Sequence, residues 1–474
     1  MVNAFKIPFA QTFAHMHNHL QIQRCSMLTA PRQEALSLAE TVTTVAAPTA
    51  APGRLASLDV MRGLTIAGMI LVTDPGTYST VFPPLLHSAW HGATPTDMIF
   101  PAFLFIVGVS IVFSTHARLR HGATRAQLVT HILGRSALLI VLGLLVNGFP
   151  GYDLHHLRIP GILQRIALCY TAAALLYLVI GNPRRPDHPS RPGGVPAAAF
   201  TSVETTASRT AAMLVTLIAI ILIGYWALLR YFPVPGFGPA RYDSLGYLGA
   251  YIDRAVFTTR HLWAWGLTPG YGVTYDPEGL LSTLPAIANT LLGVFAGVWL
   301  CLPRPARSKA ADLACFGALL FLVAWPLSSL MPINKRIWTS TFALLSGGVS
   351  LLCFSLLYWI LDVRTGAPAA VRDPLPVTER GGTRSMKPAI AFASIFGTNA
   401  ILAFVLSSVI TAALDAIHLQ IGDAVVSLHQ AGYQYLFATW LPPRIGSLAY
   451  ALAIVALNAA LVYPLYRKRF FVRI

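Results

Sequence analysis

The chain has 474 residues, 55% of them hydrophobic and only 11% charged. A soluble domain carries about a quarter charged residues, so a water-soluble globular protein is excluded and lipid is the implied solvent. The formal net charge of +16 does not indicate nucleic acid, because its Lys and Arg are sorted by loop rather than gathered into one patch.

Residues 1–53, rich in Ala, Thr and His, are expected to form a flexible cytoplasmic tail ending in the tether "AETVTTVAAPTAAPG". "HMHNH" (His15–His19) is read as part of that tail rather than as a metal site. Ten apolar runs follow, each long enough for a transmembrane helix. They are Leu58–Thr73, Met98–Thr115, Leu128–Phe149, Ile162–Gly181, Ala211–Tyr231, Thr283–Cys301, Ala311–Met331, Ile337–Leu361, Pro388–Thr411 and Ser447–Tyr466. The fold class is therefore an all-α integral membrane protein, a polytopic bundle of about ten helices. With the first residue placed in the cytoplasm, 23 of the 34 Lys and Arg fall in cytoplasmic segments and seven on the opposite side. The positive-inside rule then puts both termini in the cytoplasm. It also puts "LLHSAWHGATPTDMIFP" (Leu85–Pro101), which has no Lys or Arg, on the far side.

The loops divide in the same way. Cytoplasmic segments 182–210 and 362–387 are polar, rich in Pro and Gly, and read as linkers. The external segments are 74–97, 232–282 and 412–446. Segment 232–282 is aromatic and acidic, and a long loop of that composition is expected to be folded. Tyr433–Pro443 is expected to lie along the interface or to cap the bundle. Cys169, Cys301, Cys315 and Cys353 lack metal-like spacing and are read as packing residues.

Ionisable groups at membrane depth are functional candidates by default. In "SLDVMRG", Asp59 and Arg62 share a helix face and can pair. Alternatively, Arg62 together with Arg135 suits an anionic, phosphate-rich ligand arriving from the cytoplasm. In "RIPGILQRIALCY", Arg165 either snorkels outward or joins Gln164 in a polar tunnel. In "YDPEGLLSTLPAI", Asp276 and Glu278 either complement a helix dipole or meet a ligand. "PINKRIWTS" offers Asn334 and Lys335 as donors and Trp338 as a stacking face, and Asn399 in "FGTNAILAF" is either helix glue or a ligand contact. His87 can exchange a proton near neutrality. Asp97 either caps the following helix or orients an imidazole. His91 competes with His87 for any catalytic role.

Taken in order, "RLASLDVMRGLTIAGMILV", "LLHSAWHGATPTDMIFPAFLFIVGVSI", "LRIPGILQRIALCY", "YDPEGLLSTLPAI", "PINKRIWTS" and "FGTNAIL" resemble the heparan-α-glucosaminide N-acetyltransferase family, from about Arg54 to the C-terminus. The resemblance implies a transmembrane acetyltransferase domain at 54–474. Acetyl would pass from cytosolic acetyl-CoA to the amine of a glucosamine-type sugar across a bacterial inner membrane, without a metal and by analogy as a homodimer. The family's essential histidine lies in an H-x-x-W-x-G segment that matches His87, Trp90 and Gly92, which favours His87 over His91. "LVTDPG" puts Thr73 and Asp74 where bacterial relatives often carry two Asn, so the acceptor can differ. The resulting catalytic candidates are His87 and Asp97. The acetyl-CoA candidates are Arg62, Thr73, Asp74, Arg135, Gln164 and Arg165. The sugar candidates are Trp90, Asp276, Glu278, Asn334, Lys335, Trp338 and Asn399. Direct transfer and an acetyl-histidine intermediate both fit. The rival expectations are O-acyl transfer to an envelope glycan and a non-enzymatic amino-sugar transporter.

Overall fold

The computed structural model describes residues 55–181, 197–364 and 387–470. Among these are α1 (Ala56–Thr73), α2 (Ile99–Arg120), α3 (Arg125–Gly148), α4 (Ile162–Ile180) and α5 (Ala197–Tyr231). The short helix α6 (Leu248–Phe257) and the two-stranded β1 (Leu267–Thr268) and β2 (Gly272–Val273) fold the long loop that follows. Then come α7 (Thr283–Leu300), α8 (Ala306–Leu327), α9 (Ser340–Tyr358), α10 (Lys387–Thr398) and α11 (Ala400–Ala416). The antiparallel hairpin β3 (His418–Ile421) and β4 (Ala424–Ser427), the short α12 (Leu428–Tyr433) and α13 (Pro443–Arg467) complete the described chain. Nine of the described helices are long and apolar enough to cross a membrane, and α10 with α11 makes a tenth crossing if counted as one bent span. The protein is an all-α polytopic membrane protein.

α7 forms the centre. Its apolar window is 83% buried, against 22% for each of α3, α5 and α8, which form the rim. Packing in lipid gains little from apolar side chains, so helices associate where small residues let backbones meet. A Cβ on Gly108 of α2 would strike the Thr290 carbonyl of α7, and one on Gly293 would strike the Phe105 carbonyl. This Gly–Gly crossing locks the two helices whose outer ends frame the site.

Three expectations change. Pro388–Thr411 is not one straight helix, because the chain turns by 82° between α10 and α11, with Asn399 at the joint. Residues 197–210, expected in a linker, are the first turns of α5, since no Pro or Gly interrupts the run after Pro196. Of the four described cysteines, all free, Cys169 is buried and Cys301 partly so, but Cys315 and Cys353 are exposed, so these two are not core packing residues. The tail at 1–53, including His15–His19, and most of both linkers lie outside the described residues.

Candidate functional site

The Leu85–Pro101 segment is built by local rules. Pro95 and the Thr94–Asp97 capping box start a short turn that runs into α2. Gly92 adopts φ +101°, open to glycine and strained for other residues. In that conformation its N–H donates to the Ile333 carbonyl at 2.7 Å, fastening the segment to the 332–339 loop. Trp90 walls one side, with its indole N–H donating to the Tyr242 carbonyl at 2.7 Å and its ring edge-on to Tyr275.

One oxygen of Asp97 meets the imidazole, and the other closes the capping box of the 95–98 turn rather than capping α2 itself. Oδ2 accepts the Thr94 N–H at 2.8 Å and the Ser88 N–H at 3.2 Å. Oδ1 lies 2.7 Å from His87 Nδ1. The carboxylate is fully buried, whereas the His87 side chain is 39% exposed. An acceptor on Nδ1 fixes the proton there and leaves Nε2 as the basic nitrogen. Partial burial pulls the His87 pKa below 6.5; the Asp97 bond opposes this and the Lys335 charge adds to it. The ring is thus a neutral base at pH 7. His91 instead sits 3.4 Å from the Asn334 amide, with no carboxylate hydrogen-bonded to it among the described residues.

The 332–339 loop is held by a strained residue. Trp338 has φ +49°, a conformation that costs a bulky residue roughly 1–3 kcal/mol. Its indole offsets this by donating to Asn289 Oδ1 at 3.0 Å and by packing edge-on to Phe100 and Phe342. The Arg165 guanidinium lies 5.2 Å from the ring centre. Trp338 is 1% exposed, which corrects the expectation of an open stacking face. Asn334 is also a scaffold residue: it is buried, its Oδ1 accepts the Ile337 N–H, and its own N–H donates to Thr339. Together they aim Lys335, whose Nζ stands 3.4 Å from His87 Nδ1 and 3.3 Å from Nε2.

A second layer surrounds this pair. Arg158 makes a fork to Asp276 at 2.9 and 2.6 Å and reaches Glu278 Oε2 at 2.5 Å. Asp276 also accepts the backbone N–H groups of Trp263 and Glu278. Asp276 is therefore a buried, saturated scaffold group rather than a free ligand contact. Burial opposes ionisation of Glu278, but Arg158, Arg165 and Lys335 hold its carboxyl below the usual range. Burial lowers the Lys335 pKa, against the pull of Glu278 and Asp97. Arg165 is 1% exposed and donates to Ser282 and to the Gly279 carbonyl, yet its Nε and Nη1 find no partner among the described residues. The amide atoms of Gln164 are likewise buried without partners there.

The remaining candidates lie elsewhere. Arg62 joins α1 to α10 through the Gly397 carbonyl and to α2 through Ser110, and it lies 3.6 Å from Asp59. Arg135 stacks over Tyr170 at 4.7 Å with its Nε buried and unpartnered among the described residues. Thr73 bonds back to its own helix. Asp74 turns toward α11, accepting from Thr411 at 2.6 Å. Asn399, at the α10–α11 joint, donates to the Phe470 carbonyl, so its place is in chain packing rather than beside His87. Sequence reasoning passed over Arg158 as a site residue. Its partners lie 118 and 120 positions away, and the only local signal was an Arg placed just before Pro160.

A carboxylate-oriented histidine beside a half-buried lysine, in a polytopic helical membrane protein, provides the groups needed to move a proton. Residues 54–184, which contain His87, Asp97, Arg158 and Arg165, match the family model described as heparan-alpha-glucosaminide N-acetyltransferase, catalytic. Among curated proteins, the human heparan-alpha-glucosaminide N-acetyltransferase is 31% identical over 352 residues, covering 67% of this chain and 51% of the human protein. The mouse protein is 31% identical over 346 residues, covering 66% of this chain and 51% of its own length. The chain thus spans about half the length of these relatives. It belongs to the heparan-alpha-glucosaminide N-acetyltransferase family.

Proposed function

We propose that the protein moves acetyl from acetyl-CoA to the amine of a glucosamine-type sugar, with His87 taking the amine proton. The observation that carries this reading is the His87–Asp97 pair, in which Asp97 holds Nδ1 at 2.7 Å and Nε2 is left as the base. Bond formation makes the attacking amine nitrogen strongly acidic, so acetyl transfer needs a base to take its proton. The 23-to-7 split of Lys and Arg supports placing both termini in the cytoplasm and the His87 loop on the far side. Acetyl-CoA then approaches from the basic side, where Arg62 and Arg135 suit its phosphates. Arg165, with two buried nitrogens unpartnered among the described residues, suits a donor or acceptor oxygen nearer His87.

The purified protein, given radiolabelled acetyl-CoA and a panel of amino sugars, is expected to yield a product acetylated on nitrogen, identified by mass. No acetyl-CoA consumption with any acceptor would contradict the reading. For sidedness, Ser88→Cys should react with impermeant maleimide from outside intact cells and Arg120→Cys should not. The reverse pattern overturns the orientation.

A further inference from the structure

We propose that Lys335 is a further catalytic residue: its ammonium lies against the His87 ring and receives the oxyanion formed when the acetyl thioester is attacked. The proposal rests on the acetyl-transfer reading above and assigns one atom of the site a step within it.

Near-equal distances of 3.4 and 3.3 Å to Nδ1 and Nε2 put Lys335 Nζ over the face of the ring, not on the axis of either nitrogen. The Nδ1 axis is taken by Asp97, and the Nε2 lone pair points clear of the ammonium. An amine that gives its proton to Nε2 stands within one bond length of the carbonyl carbon it attacks. The carbonyl oxygen therefore develops its charge close to Nε2, where Lys335 Nζ is already in place. The ammonium is fixed before any substrate arrives, through the Asn334 turn and the wedged Trp338 indole, and preorganised donors of this kind contribute most to acyl transfer. Burial works against the charged form of Lys335, as do Arg336 and Arg165, while Glu278 and Asp97 favour it.

The step balances as follows. The acceptor, having shed the ammonium proton to solvent and entered as its neutral free base, forms a bond from nitrogen to the acetyl carbon while its remaining transferable proton passes to His87 Nε2. The carbonyl π pair moves to oxygen, opposite Lys335. Collapse re-forms the carbonyl and breaks the carbon–sulfur bond. The departing thiolate takes the proton from the His87 imidazolium, giving a thiol and an amide. Besides receiving the oxyanion, Lys335 disfavours a second positive charge on the ring and so favours return of that proton. The charged groups bearing on His87 are Asp97, Lys335 and Arg336.

The test compares full-length wild type with Lys335→Met and Lys335→Arg. Lys335→Met should lower kcat on its pH plateau by about 10²–10³-fold, the usual effect of removing one oxyanion donor. KM for acetyl-CoA should stay within a few-fold, and Lys335→Arg should recover part of the loss. Independently of turnover, modification of His87 by diethyl pyrocarbonate, resolved from His91 by fragment mass spectrometry, should titrate at a pH about half a unit or more higher in Lys335→Met. A plateau kcat within tenfold of wild type in Lys335→Met overturns the oxyanion role. An unmoved His87 titration overturns the charge coupling, even if that variant is inactive for lack of folding stability elsewhere. A wild-type protein that transfers no acetyl overturns the underlying reading instead.

Discussion

Two His–Asp pairs on one end of the bundle have the same chemistry and opposite surroundings. In His87–Asp97 the carboxylate is fully buried and the imidazole is 39% exposed. In His429–Asp415, at 3.0 Å, the carboxylate is 57% exposed and the imidazole only 16%. The His429 ring is stacked on Tyr450, and its Nε2 is spent on the Pro75 carbonyl, so neither nitrogen is open. Its work is to tie the β3–β4 and α12 cap to the end of α1. A buried acid behind an open ring makes a base, whereas an open acid in front of a buried ring makes a fastener. Proximity of His to Asp does not separate the two; which partner meets solvent does.

The largest contrast should come from the acids. Asp97→Asn keeps the shape but removes the acceptor that sets the tautomer, and kcat should fall by about 10²–10⁴-fold. Asp415→Asn should leave kcat within about twofold, because this contact ties the cap to α1 and does not touch the His87 ring. Equal losses in the two variants would break the distinction. Next, Arg158→Met strips the buried Asp276 and Glu278 of their shared partner. Breaking a buried pair costs about 3–5 kcal/mol, so the thermal midpoint in detergent should drop steeply. An unchanged midpoint would show that the second layer is not held by this clamp. Smaller effects belong to the donor side. Arg62→Gln or Arg135→Gln should weaken acetyl-CoA binding roughly tenfold, the value of one charged hydrogen bond, as read by calorimetry. Affinity unchanged in both would make these arginines packing residues only.

Two pH effects sharpen the same contrast. His87 must be neutral to act, and burial lowers its pKa below 6.5, so the half-point of the acid limb of kcat should fall below pH 6.5. A half-point well above 6.5 would argue against His87 as the titrating base. The fastener cluster should show no such link to rate, only to stability. Burial raises the Asp74 pKa from 3.8 to about 6, against the lowering effects of Thr411 and His429. A raised acid stabilises the fold below its unfolded value and loses that contribution as pH rises through the folded one. The midpoint difference between Asp74→Asn and wild type should therefore grow in favour of the variant from pH 3.8 to about 6 and level off above. A flat difference across that window would contradict the burial of this carboxylate.

Most of the bundle was legible because lipid demands long apolar runs, and composition alone reports them. The bend at Asn399 was not, since the short Gly-Thr-Asn break in "FGTNAILAF" lies between apolar runs that together read as one span. At the site, His87, Asp97 and Lys335 were legible by residue type. Their grouping was not, because it depends on a Gly92 to Ile333 backbone bond between segments far apart in sequence. Trp338 misled for a physical reason. An aromatic residue in a polar hairpin reads as a stacking face, but a left-handed backbone at that position turns the indole into the core. Arg158 and its two acids were legible as separate charges and invisible as a clamp.

The central claim is that the open nitrogen of His87 accepts the proton of the attacking amine. The most direct measurement is the single-turnover rate of acetyl transfer from labelled acetyl-CoA to glucosamine by purified, folded His87→Ala, beside wild type and His429→Ala. His87→Ala should lose about 10²–10⁴-fold in rate with acetyl-CoA affinity near that of wild type, while His429→Ala should keep its rate and lose only thermal stability. A folded His87→Ala enzyme that transfers acetyl at a near-wild-type rate would contradict the account.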